Sequence, residues 1–488
     1  MDHMDNIAKI IIEDEVNITI KDVDLPVKRA MIKAVQFFLP SARYSYHYKM
    51  GRWDGTTSFM TMAGKTYLNC LDKLIPILQA HDYEIDIVDN RAYHKFEFDT
   101  VHEQYLSDQT WPHGHRFAGQ PIELRDYQVD AINCCLQNLQ GVQVLPTSAG
   151  KTIVTATLSK MVQPYGRTIV IVPNKNLVQQ TEEDYRNLGL DVGVLFGDRK
   201  EYECTHTICT WQSLNVLDKK HKDCLDANQM DKFLKNLTAV IVDECHMVKD
   251  TNVLHKLMTT VFKNVPIRWG LTGTVPEEDF KQMGLFSAIG PEIGKLTAKE
   301  LQDKGVLAKC QVHVWQTQET AQYGNYQEEL KYLVTNDMRL KWLAGEIEKL
   351  GESGNTLVLV DRIETGQKLY NQISNAVFIS GEMKSADRRA HYKEINFADN
   401  RIMIATYGTT STGISINRIF NLVLVEAGKS FVRTIQSIGR GLRMADDKSE
   451  VDIYDVCSKM KFSNNHLLKR KQFYKNAEYP FEVRKIIL

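Results

Sequence analysis

Strands and helices alternate along most of this 488-residue chain. That alternation predicts an α/β protein: two doubly wound parallel-sheet domains in tandem, preceded by a small α+β domain. Three observations carry the prediction. An apolar run from Val142 enters Leu145-Pro146-Thr147-Ser148-Ala149-Gly150-Lys151-Thr152, a turn of small residues that opens a helix. The apolar run Ala239 to Val242 ends directly in the acid pair Asp243-Glu244. A second strand–helix series begins past Gly305, has no phosphate loop of its own, and ends on Arg440 and Arg443.

Composition sets the outer bounds. At this length two to four domains are expected, and a hydrophobic content of 43% supplies ample core. No apolar run approaches the roughly 18 residues that cross a membrane, and Met1 to Asn6 is too polar for a secretory signal. The nine cysteines show no CxxC pair, so reduced thiols and a cytoplasmic location are expected, the host cell's if the chain is phage-encoded. A formal net charge of −1 announces no nucleic acid; any such contact must come from local patches.

Residues 1–110 read as the small α+β domain. Ile10 to Ile12 and Val16 to Ile20 are strands, and Leu25 to Phe38 is a helix ended by Pro40. In Arg43-Tyr44-Ser45-Tyr46-His47-Tyr48-Lys49, aromatics alternate with cations, so a strand would part them onto two faces. Arg52-Trp53-Asp54-Gly55 follows as a turn before a further strand, Thr57 to Met62. Two readings stand: tyrosines packed on the domain core with solvated cations, or a nucleic-acid surface with Arg43, Lys49, Arg52 and a stackable Trp53.

Residues 111–305 read as the first sheet domain. Ser107 to Pro121 is a linker, and Leu124 to about Leu139 is a helix. Strands follow at Thr168 to Val172, Thr205 to Thr210, Ala239 to Val242 and Ile267 to Leu271. Residues 306–458 read as the second sheet domain. Its strands are Val312 to Trp315, Thr356 to Val360, Val377 to Ile379, Ile402 to Ala405 and Leu422 to Val425, with a helix from Asp337 to Leu350. Residues 459–488 form a basic tail around Lys469-Arg470-Lys471 and Lys475, either a solvated helix face or a nucleic-acid contact.

These residues supply the parts of ATP hydrolysis. Backbone N–H groups of Thr147, Ser148, Ala149 and Gly150 would cradle phosphate at a helix N-terminus. Lys151 would reach the β/γ-phosphates and the Thr152 hydroxyl would hold Mg2+. Asp243, at the ligand-binding end of its strand, would hold Mg2+ as well, and Glu244 would orient the attacking water. His246 would link the acids to Thr272 and Gln436. Arg440 and Arg443, three residues apart, would meet charge developing on the γ-phosphoryl group.

The order of these motifs resembles superfamily 2 helicases across about residues 122 to 445. Pro146 to Thr152 fits the first motif, Asp243-Glu244-Cys245-His246 the DExH box, Thr272-Gly273-Thr274 the third motif and Gln436 to Arg443 the QxxGRxxR motif. The first-motif run, Thr210-Trp211-Gln212, Thr406 to Ser415 and Arg52 to Gly55 are similar to UvsW-type helicases of T-even phages. The resemblance implies two RecA-like domains, an adenine-reading Gln128, a nucleotide contact at Gly413 and a catalytic role for Gln436. It implies a nucleic-acid path lined by Pro173, Asn174, Gln180, Thr210, Trp211, Gln212, Thr406, Tyr407 and Gly408. It further implies ATP and Mg2+ as cofactors, branched DNA or RNA–DNA hybrids as substrate, single-strand-binding or accessory recombination proteins as partners, and no membrane. Leu145 departs from the first motif's opening Gly. Ser415 stands where many members carry a ribose-contacting Asp. Two other readings remain: the translocase subunit of a restriction enzyme, for which no nuclease constellation is found, and an annealing protein with little ATPase.

Overall fold

The computed structural model describes residues 6–488 except 114–116, 202, 224–226, 249–251, 411–415, 429–438, 440–444 and 446. The chain divides into two units, one of Met1–Val144 with Lys151–Lys295, the other of Leu145–Gly150 with Leu296–Leu488.

The first unit opens on a small mixed sheet. Its strands are β1 Asn6–Ile12, β2 Asn17–Lys21, β5 Lys65–Tyr67 and β6 Tyr83–Asp89, in the order β5-β2-β1-β6, with β3 Gln36–Phe38 and β4 Thr56–Ser58 pairing beside it. Period-2 alternation buries Ala8, Ile10, Ile12, Ile18 and Ile20 against the helices Leu25–Ala34 and Leu71–Ala80. The β1–β2 hairpin is closed by Asp14 Oδ1, which accepts from the N–H groups of Val16 and Asn17 at 2.9 and 2.7 Å. This core also takes in Met283 from the helix Asp279–Ala288. The sheet of residues 1–110 therefore does not stand apart from the elements that follow it.

Three expectations change here. The helix from Leu25 stops at Ala34, because Gln36–Phe38 pairs with Thr56–Ser58 as an antiparallel ribbon. The strand expected over Thr57 to Met62 is correspondingly short. Arg43 to Lys49 is not a strand. Pro40 opens a 3-10 turn, Pro40–Tyr44, and a short helix, Tyr46–Lys49, follows. Proline's fixed φ and missing N–H suit a first helical turn. Local bonds such as Ser45 N–H to Ala42 O and Lys49 N–H to Ser45 O then close the backbone on itself. In the expected linker, Trp111 N–H donates to Gln120 O and Thr110 bridges Pro121, so Ser107 to Pro121 closes into a loop.

The main sheet of this unit holds β7 Gln140–Val144, β8 Arg167–Val172, β9 Val192–Phe196, β10 Arg199–Lys200, β11 His206–Thr210, β12 Leu237–Asp243, β13 Ile267–Thr272 and β14 Glu292–Lys295. Its order is β10-β9-β11-β8-β12-β13-β7-β14, and only the two-residue β10 runs antiparallel to its neighbour. The chain leaves β7, β8, β11, β12 and β13 on the same edge, where ligands of open parallel sheets bind.

The second unit is a seven-stranded parallel sheet of β15 Lys309–Thr317, β16 Thr356–Val360, β17 Ala376–Ile379, β18 Ile402–Thr406, β19 Asn421–Val425, β20 Glu450–Ser458 and β21 Phe481–Ile486. The order is β17-β18-β16-β19-β20-β15-β21. Strands such as Thr356–Val360 are buried throughout and, after Thr356, wholly apolar, because both faces are covered. Residues 459–488 are no free tail. The helix Lys461–Asn476 packs on the sheet, and β21 pairs in parallel with β15. Within the run Lys469-Arg470-Lys471, Arg470 is buried and binds both oxygens of the buried Asp455 at 2.8 Å. The fold is thus two RecA-like parallel-sheet domains in tandem behind a small α+β sheet. Among the described residues no helix is long and apolar enough to cross a membrane.

Candidate nucleotide site and nucleic-acid surfaces

The phosphate loop leaves β7 at Val144, and the helix Lys151–Val162 begins at the motif lysine. Ser148 and Gly150 take φ of 72° and 84°. Glycine reaches the left-handed region without steric cost, whereas a serine there is held by its surroundings. Ala149 between them is fully buried. Thr152 follows Lys151 within the first helical turn.

The acid pair stands at the end of β12. Glu244 also adopts left-handed φ, 51°, and its N–H donates to Asp243 Oδ1 at 2.9 Å. The chain then turns through Cys245–Met247. Lys151 Nζ lies 3.4 Å from Glu244 Oε1. His246 Nδ1 lies 3.3 Å from Glu244 Oε2 and 2.9 Å from Thr272 Oγ1. Thr272 Oγ1 in turn donates to Thr274 O at 2.8 Å. His246 thus joins Glu244 to Thr272 of the third motif, and the expected link onward to Gln436 lies outside the described residues.

The two carboxyls differ in proton affinity. Burial, and then the charge of Glu244, raise Asp243 above the usual carboxylate range. Burial also works to raise Glu244, but the Lys151 ammonium and then His246 outweigh it and hold the group below the usual carboxylate range. Asp243 is thus a carboxyl whose ionised form calls for a cation beside it. With the Thr152 hydroxyl it offers the hard oxygen donors that Mg2+ takes together with waters and phosphates. The residues present fit that ion.

Gln128 is buried, and its Oε1 accepts the Arg125 N–H at 3.0 Å, closing the start of the helix Asp126–Gln137. Gly413, Gln436, Arg440 and Arg443 lie outside the described residues.

The residues expected on a nucleic-acid path follow strand ends and divide by role. In the first unit Asn174 and Thr210 cap the helices Lys175–Asn187 and Trp211–Lys222 with their side chains. Pro173 is half-buried, Trp211 packs against the main core, and Gln180 and Gln212 are exposed. In the second unit Thr406 ends β18, Tyr407 is buried, and Gly408 is exposed with open space where a Cβ would stand.

In the N-terminal sheet region Arg43, Lys49 and Arg52 are exposed. Trp53 is half-buried, and its Nε1 donates to Thr56 O at 2.8 Å. The rings open to solvent are instead Tyr44, 84% exposed, and Tyr46, 64% exposed. Sequence reasoning passed over them as individual candidates, although the tyrosine–cation alternation was the signal.

Comparison with known proteins agrees with this arrangement. Residues 121–277 match the family model of the type III restriction enzyme res subunit. The chain is 24% identical over 357 residues to the ATP-dependent DNA helicase uvsW of Enterobacteria phage T4, covering 69% of this chain and 68% of that protein. It is 26% identical over 342 residues to a putative DNA 3'-5' helicase Rad25 of Haloarcula marismortui, covering 67% of this chain and 51% of the relative. The chain thus spans about half the length of that archaeal protein. A solved fragment of a putative HsdR subunit of a type I restriction enzyme from Vibrio vulnificus YJ016 shares the fold, with a TM-score of 0.57 at 16% identity over 92% of this chain and 83% of that one. In its relatives, its order of motifs and its loop lysine held against the acid pair, the chain is similar to superfamily 2 DNA helicases, a class of ATP hydrolases.

Proposed function

We propose that this chain is an ATP-driven motor that remodels branched DNA by junction migration, fork regression and R-loop unwinding, in recombination, repair and replication. The observation that carries the reading is the Lys151–Glu244 contact of 3.4 Å on the ligand-binding edge of a parallel sheet. Lys151 would exchange the carboxylate for the β/γ-phosphates, which frees Glu244 to orient the attacking water. With Lys151 turned to the phosphates, the main charge holding the Glu244 proton affinity low is withdrawn, and its carboxylate can accept a proton from that water. Asp243 and Thr152 would hold Mg2+, which supplies charge neutralisation of the phosphates when bound. Gln128 and Gly413 would contact the nucleoside. Gln436, Arg440 and Arg443 would complete the site and make hydrolysis depend on closure around the nucleotide.

On this reading Gln180, Gln212 and Gly408 are the path residues most open to a strand, while Asn174 and Thr210 shape the loops that carry them. Arg43, Lys49 and Arg52 would set where the motor engages DNA. Single-strand-binding or accessory recombination proteins are the expected partners, in the cytoplasm. The test is ATPase measured side by side with single-stranded, duplex, forked and four-way DNA and with RNA. Strongest stimulation by forked or four-way DNA is expected. Equal stimulation by linear duplex alone, or by RNA alone, would overturn the branched-DNA assignment. A second reading, the translocase subunit of a restriction enzyme, draws on the res-subunit family match. It predicts stimulation by linear duplex with no preference for junctions.

A further inference from the structure

The helix Lys461–Asn476 has no acidic residue among its 16 positions. At roughly 100° per residue, its side chains divide cleanly into two faces. Ser463, Leu467, Arg470, Phe473 and Tyr474 fall on one side and are buried. Lys461, Asn465, Leu468, Lys469, Gln472 and Lys475 fall on the other and are exposed, with Lys471 half-buried at the margin.

The inner face fixes the rotation of this helix. Arg470 grips Asp455 with two bonds of 2.8 Å and donates to Gly428 O at 2.6 Å. Tyr474 Oη donates to Asp455 Oδ2 at 2.8 Å, and Ser463 Oγ donates to Glu426 Oε2 at 2.8 Å. The buried Glu329 accepts the N–H groups of Phe462 and Ser463 at 3.1 and 2.7 Å, capping the helix start from a neighbouring element. With its inner side locked by buried charge, the helix has one orientation, and the outer lysines are committed to solvent.

Those lysines differ from others on the surface. Lys222, Lys281, Lys299 and Lys349 each pair with an acid three or four residues away on their own helix or at its start. Among the described residues, Lys461, Lys469, Lys471 and Lys475 have no carboxylate within ion-pair distance; the Lys461 ammonium lies 5.4 Å over the neighbouring Phe462 ring. From Lys461 to Lys475 the face runs roughly 21 Å at about 1.5 Å per residue, enough to meet several phosphates of one strand. A membrane surface would need apolar side chains on the same face. Only Leu468 offers one there, the remaining apolar side being buried.

We propose that the outer face of this helix is a contact surface for the DNA phosphate backbone, built around Lys469, Lys471 and Lys475. It rests on the reading of the chain as a DNA motor and adds a second anchoring site, in the second unit, to the path residues at the strand ends.

The test is binding of forked DNA, followed by fluorescence anisotropy at several salt concentrations between about 50 and 200 mM. The subjects are the full-length parent, the triple variant Lys469→Ala/Lys471→Ala/Lys475→Ala, and the same triple changed to Arg. The alanine triple is expected to bind about 10-fold more weakly, with a log–log salt slope shallower by about 1 for each phosphate it no longer neutralises. The arginine triple is expected to match the parent. Thermal melts on the same samples report folding. If the alanine triple is unfolded, the single changes Lys469→Glu and Lys475→Glu must each weaken binding. A folded alanine triple with the parent's affinity and slope overturns the proposal, as do single glutamate variants that bind normally. A parent that binds no DNA at any salt overturns the motor reading beneath it, which is a distinct result.

Discussion

Lys151 Nζ and Glu244 Oε1 stand 3.4 Å apart, so the cation of the phosphate loop and the candidate base neutralise one another across the end of the sheet. Changing either residue therefore acts on the other. Lys151→Ala should abolish ATP hydrolysis, and it should raise the Glu244 proton affinity, since the ammonium is the main charge holding that group low. Glu244→Gln should retain ATP binding and lose on the order of 10²-fold or more in turnover, as loss of a positioned base implies. Nucleotide titration beside steady-state ATPase separates the two effects. Near-parent turnover in folded Glu244→Gln would remove the base assignment.

Arg440 and Arg443, three residues apart in the sequence, are proposed to meet the charge that develops on the γ-phosphoryl group. Arg440→Ala or Arg443→Ala should lower kcat far more than it weakens ATP binding, because the charge they meet develops in the transition state. Equal losses in kcat and in nucleotide affinity would reveal ordinary ground-state binding.

Arg268 carries a structural prediction within the first unit. It is fully buried, and burial draws its pKa down to about 10, which still leaves it charged at neutral pH. Its guanidinium donates to three backbone carbonyls: Ala288 at 3.1 and 2.5 Å, Phe262 at 2.5 Å and Met258 at 2.7 Å. These carbonyls lie at or just past the C-terminal ends of two helices, where a cation is favoured. Arg268→Met fills a similar volume but strands all three acceptors, and about 3 kcal/mol or more should be lost. Urea denaturation of the two proteins measures it; unchanged midpoints would contradict the carbonyl clamp.

His313 gives the second unit a pH dependence. Its strand lies between β20 and β21, which supply Asp452 and Glu482 at 2.9 and 2.7 Å from the two ring nitrogens. The bond to Asp452, and then that to Glu482, raise the pKa against the opposing effect of burial. A raised folded-state value means that the stabilisation is fully present below the unfolded value of about 6.5 and fades as pH rises through the folded one. His313→Gln should therefore cost more stability at about pH 5.5 than at about pH 9. Melts of both proteins across that window would show a constant gap if His313 were indifferent to its neighbours.

The strand-end motifs were legible because each is written in contiguous residues. A short, largely β-branched run such as Ala239 to Val242 fits a strand buried on both faces, and its exit places Asp243-Glu244 at the ligand edge. Less legible was Arg470, which sits in a basic run and yet faces inward. The helical spacing of Ser463, Leu467, Arg470 and Tyr474 held that information, but charge alone suggested solvent. Arg43 to Lys49 misled for the opposite reason. Its period-2 pattern suggested a strand, and the deciding factor was Pro40, which starts a turn and lets local hydrogen bonds take the backbone. The role of Trp53 depended on a partner three residues away, Thr56 O, which no pattern of side-chain types discloses.

That local rearrangement sharpens the test of the N-terminal surface. If Arg43, Lys49 and Arg52 meet phosphate, Lys49→Ala with Arg52→Ala should weaken DNA binding and flatten its salt dependence by about 2 in slope. A stacking contribution should now come from Tyr44 and Tyr46, which are mostly exposed, and not from Trp53, whose indole N–H is held by Thr56 O. Tyr44→Ala and Tyr46→Ala should each lower affinity for DNA with unpaired bases by about 1–3 kcal/mol, the usual worth of a base–aromatic stack, while leaving the melting temperature near the parent's. Trp53→Ala should do the reverse, lowering the melt by loosening the turn that carries Arg52, with loss of binding only in proportion to unfolding. Anisotropy with forked and fully paired DNA, run beside melts on the same preparations, resolves the two patterns. Tyrosine variants that bind both DNAs like the parent would leave the surface purely electrostatic. Charge variants that do the same would place the DNA contact elsewhere on the chain.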